Sequence, residues 1–149
     1  MSSATQILQD YLNQVMRDPE SAVLDLQELP EEFRELGEDL VRFSGRLAEN
    51  AKLAKALAKG NLNVELPPPG NEMAAPLKAL HATLRHLTWQ TQQVAKGDYR
   101  QRVDFMGDFS DAFNTMVEQL DQRRTALLNQ IRAMTQNRSL YEMLAGQTK

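Results

Sequence analysis

The chain has 149 residues, of which 42% are hydrophobic, 6% aromatic and 25% charged, so it is long enough for one domain or an elongated pair of small ones and has the composition of a helical protein. No cysteine is present, which excludes disulfides, thiolate metal sites and cysteine nucleophiles. The net charge of -3, with no aromatic residues placed between the bases, argues against a nucleic-acid partner.

The N-terminal thirty residues predict an acidic arm. Residues 1–39 carry ten acids against two bases. Apolar residues at helical spacing predict a short amphipathic helix over 3–16, capped by Ser2 or Ser3, and we expect a helical turn or two between Pro19 and Pro30. No signal peptide is visible and no apolar run approaches the roughly 20 residues of a membrane span, so we expect a cytoplasmic chain without a membrane span.

From Pro30 onward the sequence predicts three long helices. Each carries apolar residues at alternating steps of three and four, which indicates a helix that packs along a seam against another helix. After Leu120 this pattern continues in a shifted phase, a stutter that locally unwinds a supercoil. The seam residues are Leu36, Leu40, Phe43, Leu47, Asn50, Ala54 and Leu57 on the first helix, Leu77, Leu80, Leu84, Leu87, Thr91 and Val94 on the second, and Phe113, Met116 and Leu120 on the third.

Two connectors separate these helices, and each is bounded by glycines. Gly60 and Gly97 end the first two helices, and Gly70 and Gly107 close the extended segments. The three prolines at 67–69 exclude helix from the first connector. We expect Asn71 or Gly70 to cap the second helix and Asp108 or Ser110 to cap the third. The apolar residues expected to anchor the connectors are Leu62, Leu66, Tyr99 and Val103.

The sequence contains an internal repeat with an offset of 37 residues. The shift superposes the first helix on the second, and it also places Gly60 on Gly97 and Gly70 on Gly107. A heptad pattern alone would not align the glycines at both ends of the connector, so the repeat predicts two units of the same construction.

Connector length predicts the direction of the helices. Gly60 to Ala75 offers about fifteen residues, which span near 50 Å when extended, whereas the helix from Leu40 to Lys59 is about 30 Å long. The connector can therefore return along the helix and start the next helix at the same end. Two parallel helices with one seam each bury little alone, so we predict an all-α fold in which two copies form a parallel four-helix bundle.

Three short motifs resemble those of the HAMP domain family. The run Gly70–Leu77, GNEMAAPL, resembles the family's Asp-Glu-aliphatic-Gly signature, although Ala74 stands at the glycine position. Gly97–Tyr99, GDY, and Ala112–Met116, AFNTM, are similar to its GDL and FNxM patterns, although Phe109 replaces an acidic residue. The resemblance covers residues 36–135 and adds Glu72 and Asn114 to the candidate site residues.

The resemblance implies a non-catalytic relay of a bacterial sensor protein. Such a relay is a homodimer that passes a conformational change to an output module, a cyclase or a kinase. The chain also resembles the regulatory region that precedes PAS, GGDEF (diguanylate cyclase) or histidine-kinase modules. No signature of those output modules is present in the 149 residues. The implied organisation is an arm at 1–30, a first unit at 31–96, a second unit at 76–135 that shares the helix 76–96, and a helical extension at 136–149.

The histidines, Trp89 and Glu72 do not by themselves predict a functional site. His81 and His86 face about 140° apart on a helix, so they cannot bind one metal ion together, and we expect both to be solvated. Trp89 is expected to cover the flank of the seam, and an ordinary helix-start carboxylate explains Glu72 equally well. We expect no enzyme activity, cofactor or metal site. The alternative function is a helical scaffold or adaptor that forms an intramolecular three-helix bundle.

Overall fold

A computed structural model of the protein describes residues 2–148, and all regular structure in this range is helical, which confirms the all-α prediction. None of the helices in the described range combines the length and apolarity needed to cross a membrane. The four α-helices are α1 (Ala4–Arg17), α2 (Glu31–Ala58), α3 (Ala75–Ala95) and α4 (Asp108–Gln147), and short 3-10 turns lie at Leu26–Glu28 and Glu72–Ala74.

The chain divides into two compact subdomains at Arg85 and His86. The N-terminal subdomain contains α1, α2 and the start of α3. The C-terminal subdomain contains the rest of α3, the connector after it and α4. The division falls inside α3, so this one helix belongs to both subdomains.

Helix α1 packs on α2 through its apolar side. Ser3 caps α1, since its Oγ accepts the backbone N–H of Gln6 at 3.2 Å. Leu8, Tyr11 and Val15 are buried, and the hydroxyl of Tyr11 is hydrogen-bonded to the Ser44 hydroxyl on α2. The short helix predicted from the apolar spacing is therefore present and has α2 as its packing partner.

The segment 18–30 returns along α2 to the start of that helix. Near its beginning, the Glu20 carboxylate lies 3.2 Å from the Lys55 ammonium. Near its end, Leu29 is buried against Gly37, where an added Cβ would lie 2.6 Å from the Leu29 Cδ1 atom. The helix α1 thus advances in the same direction as α2, and the segment expected to be an arm is packed on the helix that follows it.

Helices α2 and α3 end in the same hydrogen-bonded turn. The backbone amides of Gly60 and Asn61 bond to carbonyls of the last turn of α2 at 3.0 and 2.9 Å, and those of Gly97 and Asp98 do so at the end of α3, both at 2.9 Å. The two glycines have φ of 74° and 97°. Only glycine adopts this left-handed conformation at little cost, which is why these positions stop the helices.

A side-chain oxygen then turns the chain into each returning segment. The Oδ1 atoms of Asp18, Asn61 and Asp98 each accept the backbone N–H two residues further on, all at 3.1 Å. This Asx turn directs the backbone away from the helix without a regular loop. The same local structure therefore follows α1, α2 and α3.

Helix α4 begins without a side-chain cap. Its N-cap residue is Gly107, with φ of 54°, so the predicted capping by Asp108 or Ser110 is wrong. The Ser110 hydroxyl instead accepts the backbone N–H of Met106 at 2.8 Å, which satisfies a donor of the connector rather than one of the helix.

Candidate relay interface

In the C-terminal subdomain the connector 96–107 contributes to the main apolar cluster. The cluster buries one residue of α3, one of the connector and two of α4, and further apolar residues pack around them. This burial is the main hydrophobic contribution to holding the three segments together. The buried members are Val94, Val103, Phe113 and Val117, and those packed against them are Leu87, Tyr99, Met106 and Leu120.

Asn114 joins α4 to the connector through both of its amide atoms. Its Oδ1 accepts the Val103 N–H at 2.8 Å, and its Nδ2 donates to the Val103 carbonyl at 2.7 Å. An extended segment has no neighbouring strand to satisfy its backbone, so the asparagine supplies the donor and acceptor that a strand would supply. The residue identified by the FNxM-like motif thus fixes the connector on α4.

Contacts along α3 show that the connector runs back beside this helix. The Gln90 Nε2 donates to the Arg102 carbonyl at 2.7 Å, and the ring of His86 lies 6.0 Å from that of Phe105. Residues later in the connector therefore meet residues earlier in α3. Because Asn114 meets Val103, α4 starts at the level of the connector's end and points in the same direction as α3.

Arg124 closes the other end of this subdomain. Its Nη1 donates to the Gly97 carbonyl at 3.0 Å, its Nη2 to Asp121 at 3.0 Å, and its guanidinium lies 4.6 Å from the centroid of the Tyr99 ring. The guanidinium therefore ties α4 to the carbonyl end of α3, where the helix dipole favours a cation. The described residues of α4 after Asp121 are exposed, so Arg124 marks the end of the packed part of α4.

The first connector is held on α2 by Asn71. Its Nδ2 donates to the Arg46 carbonyl at 3.1 Å and to the Asn50 Oδ1 at 2.9 Å. Asn71 was expected to cap the next helix, but its side chain makes no capping hydrogen bond. Asn50, the polar member of the predicted seam on α2, therefore has a partner within its own chain.

His81 ties α3 to the beginning of the first connector. The residue is buried and its Nε2 lies 2.7 Å from the Leu62 carbonyl oxygen. The expectation that His81 is solvated is therefore wrong, because a helix position that looked polar faces the connector. Since Asn71 lies at the level of Arg46 and α3 then advances toward Leu62 near the end of α2, α3 and α2 point in the same direction.

The other two aromatic side chains of α3 remain at the surface. His86 is exposed as expected, and Trp89, half exposed, lies with its ring 6.0 Å from that of His86 in a stacked arrangement. This pair extends the His86 contact with Phe105 along the outside of the helix.

The structure divides the predicted seam residues into three classes. Val94 and Phe113 are buried. The half-buried seam residues are Leu40, Leu47, Asn50, Leu57, Leu77, Leu84, Leu87 and Leu120. The exposed seam residues, which we call the exposed stripe, are Leu36, Phe43, Ala54, Leu80, Thr91 and Met116.

The connector and signature residues also differ in their environment. Val103 is buried and Leu62 and Tyr99 are half-buried, whereas Leu66 is exposed and the adjacent Pro67 is buried. Glu72 is exposed in the 3-10 turn before α3. Within the described residues, Gly70 differs from the other signature glycines, which are Gly60, Gly97 and Gly107, in lacking a positive φ.

The two carboxylates that form the Asx turns after α3 and α1, those of Asp98 and Asp18, both have a lowered pKa. Hydrogen bonds from the Arg100 side chain and backbone, and from Gln101, lower the pKa of Asp98 from 3.8 to about 2. Hydrogen bonds involving Ser21 and the backbone of Glu20 lower the pKa of Asp18. In both turns the charged carboxylate is the form that accepts these hydrogen bonds.

Several residues that hold the helices and connectors together were not predicted from the sequence. Val117 is fully buried, although the heptad spacing selected its neighbour Met116. The steps from Phe113 to Val117 and on to Leu120 also alternate four and three. The spacing therefore also indicated an apolar side of α4 that includes Val117. Leu53, which is buried on α2, and the polar residues Gln90 and Arg124 carried no such signal, because a single residue on a helix does not reveal its partner.

Within residues 2–148, no three His, Asp or Glu side chains are grouped closely enough to hold a metal ion. The interface is instead made of apolar packing and of amide, imidazole and guanidinium groups bonded to backbone carbonyls. Such an arrangement positions helices relative to connectors.

Comparison with family models matches residues 73–122 to the family described as HAMP domain. The matched segment is about a third of the chain, and it contains α3, the connector after it and the packed part of α4 almost to Arg124. HAMP domains are non-catalytic signalling linkers. Neither comparison with curated proteins nor comparison with solved structures gave a match.

Proposed function

Residues 73–122 are a HAMP domain, and from this premise we propose that the protein is a non-catalytic signal relay of a bacterial sensor system. In this proposal two copies form a parallel helical bundle in the cytoplasm. The bundle passes a conformational change from its N-terminal end to an output module, such as a cyclase or a kinase, beyond α4.

The observation that carries the proposal is the exposed stripe. Its four large members, Leu36, Phe43, Leu80 and Met116, are 49%, 46%, 41% and 46% exposed. Each of them belongs to the heptad pattern of its own helix. Large apolar seam residues that stay exposed on each of three helices are typical of a surface that a partner covers.

A second copy of the chain fits this surface best. Each repeat unit offers two parallel helices with one seam each, and a two-fold axis along the helices brings four such seams together. The connectors lie on the outside of this arrangement, because their anchors already occupy the flank of each helix. The proposed units are residues 31–96 and 76–135, with the arm and the extension at either end.

The shared helix α3 gives the relay its continuity. Leu77, Leu80 and Leu84 belong to the first unit, and Leu87, Thr91 and Val94 to the second, all on one continuous helix. A rotation or shift of α3 in one bundle therefore reaches the other, and coupling of this kind is typically worth about 1–3 kcal/mol.

Two polar residues of the seam allow the proposed bundle to adopt two packings of similar energy. Thr91 is exposed on the stripe with its hydroxyl bonded to the Leu87 carbonyl at 2.8 Å, and Asn50 keeps its partner Asn71 within the chain. Neither depends on the second copy for its hydrogen bond. The seam can therefore slide or rotate at these positions without leaving a buried polar group unsatisfied.

Light scattering on a sizing column tests the dimer. We expect twice the mass of one chain for the wild type and for Ala82→Glu, whose site is two positions from Leu80 and so about 160° around the helix. Leu80→Glu should give the mass of one chain, because it places a charge in the seam. A wild-type protein with the mass of one chain would contradict the proposal and favour the helical scaffold.

A further inference from the structure

We propose that residues 2–44 form a third repeat unit, upstream of the two described above, and that its exposed apolar side is an interface with a second copy of this chain. The inference rests on the proposed function, since it extends the proposed dimer to α1. It assigns a role to a segment outside the family match, which begins at Met73.

The order of elements in residues 2–44 is that of the other units. A helix ends in an Asx turn, a segment returns along it, and a second helix starts in the direction of the first. The Asp18 Oδ1 accepts the Glu20 amide as the Asp98 Oδ1 accepts the Arg100 amide, both at 3.1 Å. The returning segment 18–30 therefore corresponds to the connector 96–107.

In both units one apolar residue of the returning segment is buried against the helix that follows. Leu29, near the end of the returning segment, is buried against Gly37 of α2. Val103, near the end of the other connector, is buried against α4. Tyr11 of α1 and Ser44 of α2 add a direct hydrogen bond between the two helices, so α1 is fixed to α2 rather than loosely attached.

Different sides of α1 face the returning segment, α2 and solvent. Asp10 and Gln14 face the returning segment across a cavity of about 580 Å³, and Tyr11 is buried. Leu12 and Met16 lie away from the cavity and are 39% and 75% exposed. An apolar pair therefore remains on the side of α1 that neither α2 nor the returning segment covers.

The second copy is the occupant because the stripe on α2 is continuous. Its members Leu36, Phe43 and Ala54 follow one another at steps of seven and eleven residues along one unbroken helix, so the stripe runs from the proposed third unit into the next one. A second copy that covers Phe43 on α2 also covers Leu36. It contacts α1 at the same level, because the hydrogen bond between Tyr11 and Ser44 holds α1 beside this part of α2.

Single cysteines in this cysteine-free chain test the interface. Leu12→Cys and Met16→Cys are made in the 149-residue chain, with Asp10→Cys, about 160° around the helix from Leu12, as the control. Leu80→Cys and Met116→Cys report on the proposed dimer itself. Each variant is treated with a short bifunctional maleimide at low protein concentration, and the covalent dimer is measured on a denaturing gel.

We expect Leu12→Cys and Met16→Cys to give covalent dimer in yields similar to Leu80→Cys and Met116→Cys, and several times that of Asp10→Cys. If Leu80→Cys and Met116→Cys react but the two α1 variants behave like Asp10→Cys, the third unit is overturned and the proposed function stands. If none of the variants gives a covalent dimer, the proposed function fails, and this inference fails with it.

Discussion

The side chain of Asn114 satisfies both backbone hydrogen-bonding groups of Val103, accepting from its N–H at 2.8 Å and donating to its carbonyl at 2.7 Å. The two residues lie eleven positions apart, one on α4 and one in the connector. A single side chain thus holds an extended segment in the position where Val103 enters the apolar cluster.

Replacing Asn114 by alanine should lower the free energy of unfolding by about 2–4 kcal/mol, since two hydrogen bonds are lost and the backbone of Val103 is left without partners. Urea unfolding followed by circular dichroism measures this. The control is Thr115→Ala, at the exposed neighbouring position, expected within about 0.5 kcal/mol of wild type. Equal stability of the two variants would show that the Asn114 bonds contribute little.

Arg124 should stabilise the junction between the packed and exposed parts of α4. Arg124→Ala removes the bond to the Gly97 carbonyl and the contact with the Tyr99 ring, and we expect a loss of about 1–2 kcal/mol, reduced by the half exposure of the side chain. The matched variant Arg123→Ala, at an exposed position, should change stability by less than about 0.5 kcal/mol. The same unfolding measurement distinguishes them, and a larger effect at Arg123 would count against the junction.

Gly37 and Gly45 lie on the same helix and should respond differently to alanine. Nothing lies within 4 Å of a Cβ built at Gly45, so Gly45→Ala should stabilise the protein by up to about 1 kcal/mol through helix propensity. At Gly37 the new Cβ would lie 2.6 and 2.8 Å from methyl groups of Leu29 and Leu26. Gly37→Ala should therefore gain less than Gly45→Ala.

A larger side chain separates the two glycine positions further. Gly37→Leu should be clearly destabilising, by about 1–3 kcal/mol, because the returning segment must move away from α2. Gly45→Leu should be at least as stable as wild type, because nothing lies within 4 Å of a Cβ at this position and leucine also favours the helix over glycine. Thermal melts of the four variants check this, and an equal gain at Gly37 and Gly45 would mean that Leu29 does not pack on α2 as described.

Asp98 should give stability a dependence on acid pH. Its pKa is lowered to about 2 in the folded protein, chiefly by the Arg100 side chain, from an ordinary 3.8. A lowered pKa means that this contribution is present above about pH 4 and is lost as the pH falls toward 2. Asp98→Asn keeps an Asx turn of the kind that Asn61 forms, but it lacks this pH dependence.

The measurement for Asp98 is the difference in unfolding free energy between wild type and Asp98→Asn at several pH values. It should be constant above about pH 5 and shrink toward pH 2. Arg100→Ala removes the largest cause of the shift and should weaken the same trend. A difference that does not change between pH 5 and 2 would show that the carboxylate gains nothing from its partners.

The sequence predicted the parts of the fold that depend on backbone chemistry. Gly60 and Gly97 mark the helix ends because only glycine adopts their positive φ readily, and the heptad spacing identified α2, α3 and the first half of α4. These features are local, so residue type and spacing are sufficient to find them.

Features that depend on a distant partner were not predicted. His81 and Gln90 looked like surface residues, yet each meets a backbone carbonyl of a connector. The packing of residues 18–30 on α2 depends on Gly37, whose role is visible only once Leu29 is placed beside it. The residue type shows that a polar group is present, but it does not show which backbone carbonyl that group will bond to.

The most direct test of the account is the direction in which two copies pair. Single spin labels at Phe109 and at Tyr141, both exposed on α4, are measured separately by pulsed electron–electron double resonance. A parallel, in-register dimer predicts short label-to-label distances, below about 30 Å, at both positions, because identical residues then lie at the same level of the bundle. An antiparallel dimer must separate at least one pair by about 48 Å or more, since the positions are 32 residues apart at about 1.5 Å per residue; that result, or the absence of any dipolar coupling, would contradict the account.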